Sequence, residues 1–225
     1  LMVNTEKEPI HVEEGLLTTI AYKINGEVHY AIEGSIYSCG NIIKWLRDKM
    51  HFFVTAKESE NFINTDGNTN NVLFLPAFNG LGAPFWDSDI RGGFYGITQD
   101  SSIEDMVTAA FQAITFQTKE ITSILEKYNI EISKLSVDGG MVENNSFCQA
   151  LADTLEKEIL QPENVESTAI GACKVCMMAS GININSLNKS RINSFKPAQT
   201  QVETYAKNYE NWKLYVSNSL KINPE

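Results

Sequence analysis

Beyond residue 100 the chain alternates long helical patterns with short apolar strands, and this alternation limits what it can fold into. Ser102–Tyr128 places Met106, Ala110, Ala113, Phe116, Ile121, Ile124 and Leu125 at helical spacing. Ser102 is a candidate N-cap, and Glu104 and Asp105 put negative charge in the first turn, where the helix dipole favours it. A strand over 134–138, a helix over 144–155, a strand over 158–161, a helix over 168–180 and an amphipathic helix from about 199 to 220 follow. Strands and helices in alternation build an α/β layered domain.

The first half is more mixed. "GLLTTIAYKINGEVHYAIEG" reads as a β-hairpin, with Leu17, Thr19 and Ala21 alternating with their neighbours and Asn25-Gly26 as a type I′ turn signal. Helices are predicted near Cys39–Met50 and Thr55–Phe62, then a polar loop over 64–71, a buried strand at 72–78 and a short strand in "GFYGIT". The glycine-rich loop 79–93 holds Asp87, Asp89 and Arg91. These suit an ion pair bracing the loop better than groups reaching a metal-bound phosphate.

Composition narrows the classes. With 225 residues, 43% of them hydrophobic, the chain can bury an ample core as one large domain or two small ones. A formal net charge of −10 argues against a nucleic-acid partner, which needs a basic face. No apolar run approaches the roughly 20 residues of a membrane span, and the start has no signal-peptide pattern. It lacks an initiator methionine and "LMV" already reads as strand, so the chain is expected to be cut from something longer, with residues 1–5 a truncated strand. Cys173 and Cys176 form a C-x-x-C within "AIGACKVCMMAS", without a second pair of ligands for zinc. All four cysteines are expected to be buried free thiols in a reducing compartment.

The candidate chemistry lies in glycines at the heads of helices. In "LSVDGGMVENN" a strand runs into Gly139–Gly140 and then into Asn144–Asn145 at a helix start. Unsatisfied first-turn N–H groups and the positive end of the dipole make such a place an anion site, and glycines let a phosphate or ribose reach the backbone. Asn144 can equally be an ordinary helix cap. The G-K-[ST] of a Walker loop is absent. Gly40 heads another helix, and close packing of that helix against a sheet is the alternative. Gly171, one turn after the candidate cap Thr168, reads as a packing glycine.

"GLLTTIAYKINGEVHYAIEGSIY", "LPAFNGLGAPFWDSDIRG", "GGFYGITQDSSIEDMVTAAFQ", "FQAITFQTKEI", "LSVDGGMVENN" and "ESTAIGA" together resemble, in order and spacing, the C-terminal half of glycerol kinases within the FGGY carbohydrate-kinase family. The resemblance covers nearly the whole chain as one C-terminal domain, 1–225. It implies an α/β, RNase H-like domain of the actin/hexokinase/Hsp70 type, with a mixed sheet flanked by helices. It also implies a cytoplasmic enzyme that passes the γ-phosphoryl of MgATP to a terminal hydroxyl of glycerol, a step governed by positioning and charge neutralisation.

Carried over by motif, the resemblance makes Gly40, Gly140 and Asn144 nucleotide contacts, with Gly139 supporting the turn. Lys44 falls where relatives often carry a contacting glutamine, and a lysine there either reaches a phosphate or points to water. The family's catalytic aspartate, its "G-T-G" phosphate loop and its glycerol-binding residues fall upstream of Leu1, so no catalytic or metal-binding residue is assigned here. ATP or ADP with Mg2+ is the implied cofactor. Glycerol (through an absent N-terminal domain), the rest of the kinase chain and a second copy in a homo-oligomer are the implied partners.

Overall fold

A computed structural model describes residues 1–164, 166–182 and 192–222. Its element order is β1 (Met2–Glu6), β2 (Leu17–Ile24), β3 (Glu27–Glu33), α1 (Gly40–Asp48), a 3-10 helix (Ala56–Phe62), β4 (Leu73–Leu75), β5 (Gly93–Tyr95) and α2 (Ile103–Lys127). There follow β6 (Lys134–Ser136), a second 3-10 helix (Gly140–Glu143), α3 (Asn145–Leu155), β7 (Glu158–Pro162), α4 (Ser167–Ala179), β8 (Ile192–Phe195) and α5 (Gln199–Ile222).

The strands form three small sheets rather than one broad one: β1-β3-β2 and β4-β5, both antiparallel, and β6-β7-β8. The mixed pairing lies in the last, where β6 runs parallel to β7 and β8 antiparallel to it. The expected hairpin is present. Asn25 and Gly26 both take positive φ, at 51° and 85°, as a type I′ turn demands. The expected strand 72–78 shrinks to Leu73–Leu75, because its partner β5 has three residues and Pro76 has no N–H to donate.

α2 holds the layers together. Ser102 Oγ accepts from Asp105 N–H at 3.1 Å and the Asp105 carboxylate accepts from Ser102 N–H at 2.9 Å, so both groups of a capping box are made. The sequence predicts a single apolar stripe, yet residues 107–118 are buried on every face. The polar side chains among them are matched. Thr108 accepts from Asn64 N–H (2.8 Å), Gln112 donates to Gly67 O (2.7 Å), and the Thr115 and Thr154 hydroxyls pair at 2.9 Å. On one side Phe111 and Ile114 meet Ile42, Leu46, Phe74 and Phe147. Phe116 meets Tyr209 and Trp212 of α5, and Ile121 and Leu125 meet Val12, Leu16 and Ile32.

Several expectations change. β8 follows a segment with no legible strand pattern, and it completes the β6-β7 sheet. Thr168 is not a cap: Glu166 holds the N-cap position of α4 and makes no side-chain capping bond. A Cβ on Gly171 would meet nothing within 4 Å, so packing does not require that glycine. α4 buries none of its residues, and Cys173 and Cys176 are exposed, although the expectation was burial. Apolar composition makes burial favourable but does not supply a neighbour, and no described element covers this helix. Cys148 is buried and Cys39 partly so. The loop 79–93 is braced, but not by an ion pair. Asp87 Oδ1 accepts from the N–H groups of Asp89 and Ile90 at 2.8 and 2.9 Å, and Arg91 donates to the carbonyls of Ser88 and Ile90 at 2.7 and 2.9 Å.

Two outcomes follow from this packing. Trp212 is 1% exposed and donates to Phe74 O at 2.9 Å. Trp212→Ala should cost about 3–5 kcal/mol in urea unfolding, through the cavity and the orphaned carbonyl. Burial pushes the Cys148 thiol up to about 12. In a thiol titration at mildly alkaline pH, Cys173 and Cys176 should react at once and Cys148 only after unfolding.

Candidate functional site

The glycine turn after β6 is built in steps. Val137 N–H donates to Leu160 O at 2.9 Å, extending the parallel pairing one residue past β6. Gly139 then takes φ 86°, a left-handed value that reverses the chain at little cost only without a side chain. Val142 N–H returns to Gly139 O at 3.1 Å, closing the 3-10 turn Gly140–Glu143, and α3 starts at Asn145. A layer beneath fixes the turn. Gln161 of β7 donates to Val142 O, Cys148 also donates to that carbonyl at 3.3 Å, and Asn193 of β8 holds the Gln161 oxygen at 2.8 Å.

The head of α1 lies beside this turn. Cys39, just before Gly40, brings its thiol within 3.4 Å of the sulfur of Met141, just after Gly140. Burial raises the pKa of that thiol, and the Gly40 N–H partly opposes the shift. The two glycine heads therefore border one opening. It is a cavity of about 450 Å3 lined by Gly40, Ile43 and Phe111, by Ala56, Lys57, Ser59 and Glu60 of the first 3-10 helix, and by Gly140, Met141, Glu143 and Asn144.

Of the residues singled out from sequence, Gly40, Gly140 and Asn144 share this cavity, and Gly139 shapes the turn at its edge. Lys44 lies one turn along α1 from Gly40, exposed, and is not part of the lining. A Cβ on Gly40 or Gly140 would meet nothing within 4 Å. Close packing against a sheet is therefore not what requires Gly40; each glycine opens onto free space.

The start of α3 differs from the expectation of a vacant anion site. Asn144 Oδ1 accepts from Phe147 N–H at 2.9 Å, an ordinary cap. Glu60 Oε1 accepts from the N–H groups of Asn145 and Ser146 at 3.1 and 3.3 Å. The donors that make a helix start attractive to phosphate are thus met from within. The contribution of residues 56–60 was not legible, because their partners lie 85 positions away in sequence. What the cavity can do chemically follows from its walls. Apolar faces from Ile43, Phe111 and Met141 and bare backbone at two glycines, beside the charged side chains of Lys57, Glu60 and Glu143, suit a ligand portion that is largely apolar in contact.

Gly139→Ala would force a side chain into φ 86° without any steric contact to relieve. It should lower stability by about 1–3 kcal/mol in denaturant unfolding, whereas Gly140→Ala, at a position without positive φ, should leave stability nearly unchanged.

Comparison with known proteins adds the lineage. The description "FGGY family of carbohydrate kinases, C-terminal domain" matches residues 1–180. The glycerol kinase of Staphylococcus haemolyticus is 38% identical over 220 residues, covering 96% of this chain and 44% of that protein. Among solved structures, Plasmodium falciparum glycerol kinase with ADP superposes with a TM-score of 0.84 at 30% identity, over 97% of this chain and 45% of that one. The gluconate kinase of Lactobacillus acidophilus shares the fold at TM-score 0.78 and 21% identity, over 97% of this chain and 45% of that one. The chain spans less than half the length of each of these proteins. It is a mixed α/β domain with the actin-like architecture of those structures, and it belongs to the FGGY family of carbohydrate kinases, as a C-terminal domain.

Proposed function

We propose that this chain is the nucleotide-binding part of a glycerol kinase, and that the cavity between the two glycine heads receives the nucleoside of MgATP. The observation that carries this reading is the shared lining by Gly40, at the head of α1, and by Gly140 and Asn144, from the turn between β6 and α3, with bare backbone at the two glycines opening onto the same space. Identity of 38% to a glycerol kinase supports glycerol as the acceptor. Similarity to a structure solved with ADP supports an adenine nucleotide.

The residues present fit the nucleotide better than they fit a metal. Among the described residues no group of three or more His, Cys, Asp or Glu side chains is placed to hold a cation. Mg2+ would therefore come with the phosphates, in keeping with its habit of retaining water and phosphate oxygens. When bound, MgATP supplies the phosphoryl group that is transferred. This chain's own part is to seat and orient the nucleoside, with Phe111, Ile43 and Met141 excluding water and the rigid Gly139–Gly140 turn fixing its position. The carboxylate that activates the glycerol hydroxyl is assigned to residues outside this chain.

Calorimetry with ADP tests the reading. The chain should bind ADP weakly, because phosphate contacts of roughly 1.5–3 kcal/mol each would come from elsewhere, and it should not phosphorylate glycerol. Gly140→Val, which points two methyl groups into open space, should keep the fold and remove ADP binding. Lack of any ADP binding by the unaltered chain would refute the proposal. The fold shared with a gluconate kinase supports a second reading, a sibling sugar kinase. A coupled assay of a protein containing this domain separates the two: turnover of gluconate or xylulose but not glycerol selects the sibling.

A further inference from the structure

The cavity carries a charge pattern that the glycines do not explain. Glu60 and Glu143 line it, against Lys57 among the described lining residues. A pocket for phosphate would show the opposite balance. Glu60 is also held in place. Thr55 Oγ1 caps its 3-10 helix by accepting from Glu58 N–H at 3.3 Å, Ser59 Oγ donates to Ala56 O at 2.6 Å, and Val54 N–H donates to Glu58 Oε2 at 3.0 Å. From that braced turn the Glu60 carboxylate reaches the N-terminus of α3 and takes the Asn145 and Ser146 N–H groups through one oxygen. It stands where a phosphate would otherwise bind.

We propose that Glu60 decides which end of the nucleotide enters this cavity. Its carboxylate fills the anion position at the start of α3, repels phosphate by like charge and leaves the cavity to the uncharged nucleoside. The phosphates are then directed away from α3, toward the Gly139–Gly140 turn and Gly40. Without Glu60, the α3 start would offer two free N–H groups and the positive end of the helix dipole, and the ligand could seat reversed. This inference rests on the nucleotide reading of the cavity. It assigns Glu60 a positioning role, not a catalytic one.

The experiment uses two probes that separate the ends of the ligand: adenosine, and tripolyphosphate without a nucleoside. Each is titrated by calorimetry into the wild-type chain, Glu60→Gln and Glu60→Ala, alone and in competition, at constant ionic strength. Wild type should bind adenosine and resist its displacement by tripolyphosphate. Glu60→Gln keeps an oxygen for the two N–H groups but loses the charge. Tripolyphosphate should compete about tenfold better for it than for wild type. Glu60→Ala also frees the donors and should gain more. Thermal unfolding checks both variants, and Glu60→Gln carries the test if Glu60→Ala does not fold. A capping role alone would lower the stability of Glu60→Ala and leave tripolyphosphate competition at the wild-type level in both variants; that result overturns the inference while adenosine binding by wild type stands. Failure of wild type to bind either adenosine or ADP overturns the nucleotide reading itself.

Discussion

The burial of the middle of α2, residues 107–118, on all its faces is the constraint on which the other elements depend. A helix in that position must find partners for its polar side chains as well as its apolar ones, since an unmatched buried polar group costs about 1–3 kcal/mol. Thr108, Gln112 and Thr115 find theirs in the Asn64 backbone, the Gly67 carbonyl and Thr154. Asn208 of α5 joins the same network, donating to Gly67 O at 3.0 Å and to Gln112 Oε1 at 3.1 Å. The asparagine-rich loop, α3 and α5 are therefore tied to α2 by directional bonds, and the apolar clusters fill what lies between.

That arrangement places the cavity. Phe111 comes from α2 and forms one wall. Thr108, three residues earlier, holds the backbone of Asn64 just past the end of the first 3-10 helix, and so fixes the turn that carries Ser59 and Glu60. Phe147 on α3 packs against Phe111 with ring centroids 5.7 Å apart, which sets the height of Asn144 and the α3 start. The route from the core to the site is short, and each step is a named contact. Perturbing the anchoring of α2 would move three of the walls together.

Much of the fold was legible because local signals agreed with tertiary ones. The Asn25-Gly26 turn, the Ser102 cap and the strand–Gly139–Gly140–helix sequence each stated their own geometry. The misreadings of α2 and α4 share a cause: periodicity reports which face of an element is apolar, not whether a neighbour exists. The Thr108, Gln112 and Thr115 side chains made α2 look one-sided, though distant partners bury them. The apolar run of α4 read as buried, though nothing described covers it. At the site, the glycines announced open backbone, and free space at Gly40 and Gly140 agrees with that. The occupied α3 start was invisible, because Glu60 is 85 residues from the amides it meets.

The turn at Gly139–Gly140 also divides the surface. The 450 Å3 cavity takes Gly40 and Gly140 from the two glycine heads. A larger one, about 890 Å3, takes the residues on their other side, Cys39 from one and Ser136, Val137 and Asp138 from the other, together with Leu1 and Met2. The ridge between them is Cys39–Gly40 against Asp138–Gly140, drawn together by the Cys39–Met141 sulfur contact. Along that ridge, Gly40 and Gly140 carry no side chain, and a Cβ on either would meet nothing within 4 Å. An acidic side chain at one end and bare backbone at the other make the two sides of this opening unlike, which is the asymmetry that the proposed positioning role of Glu60 draws on.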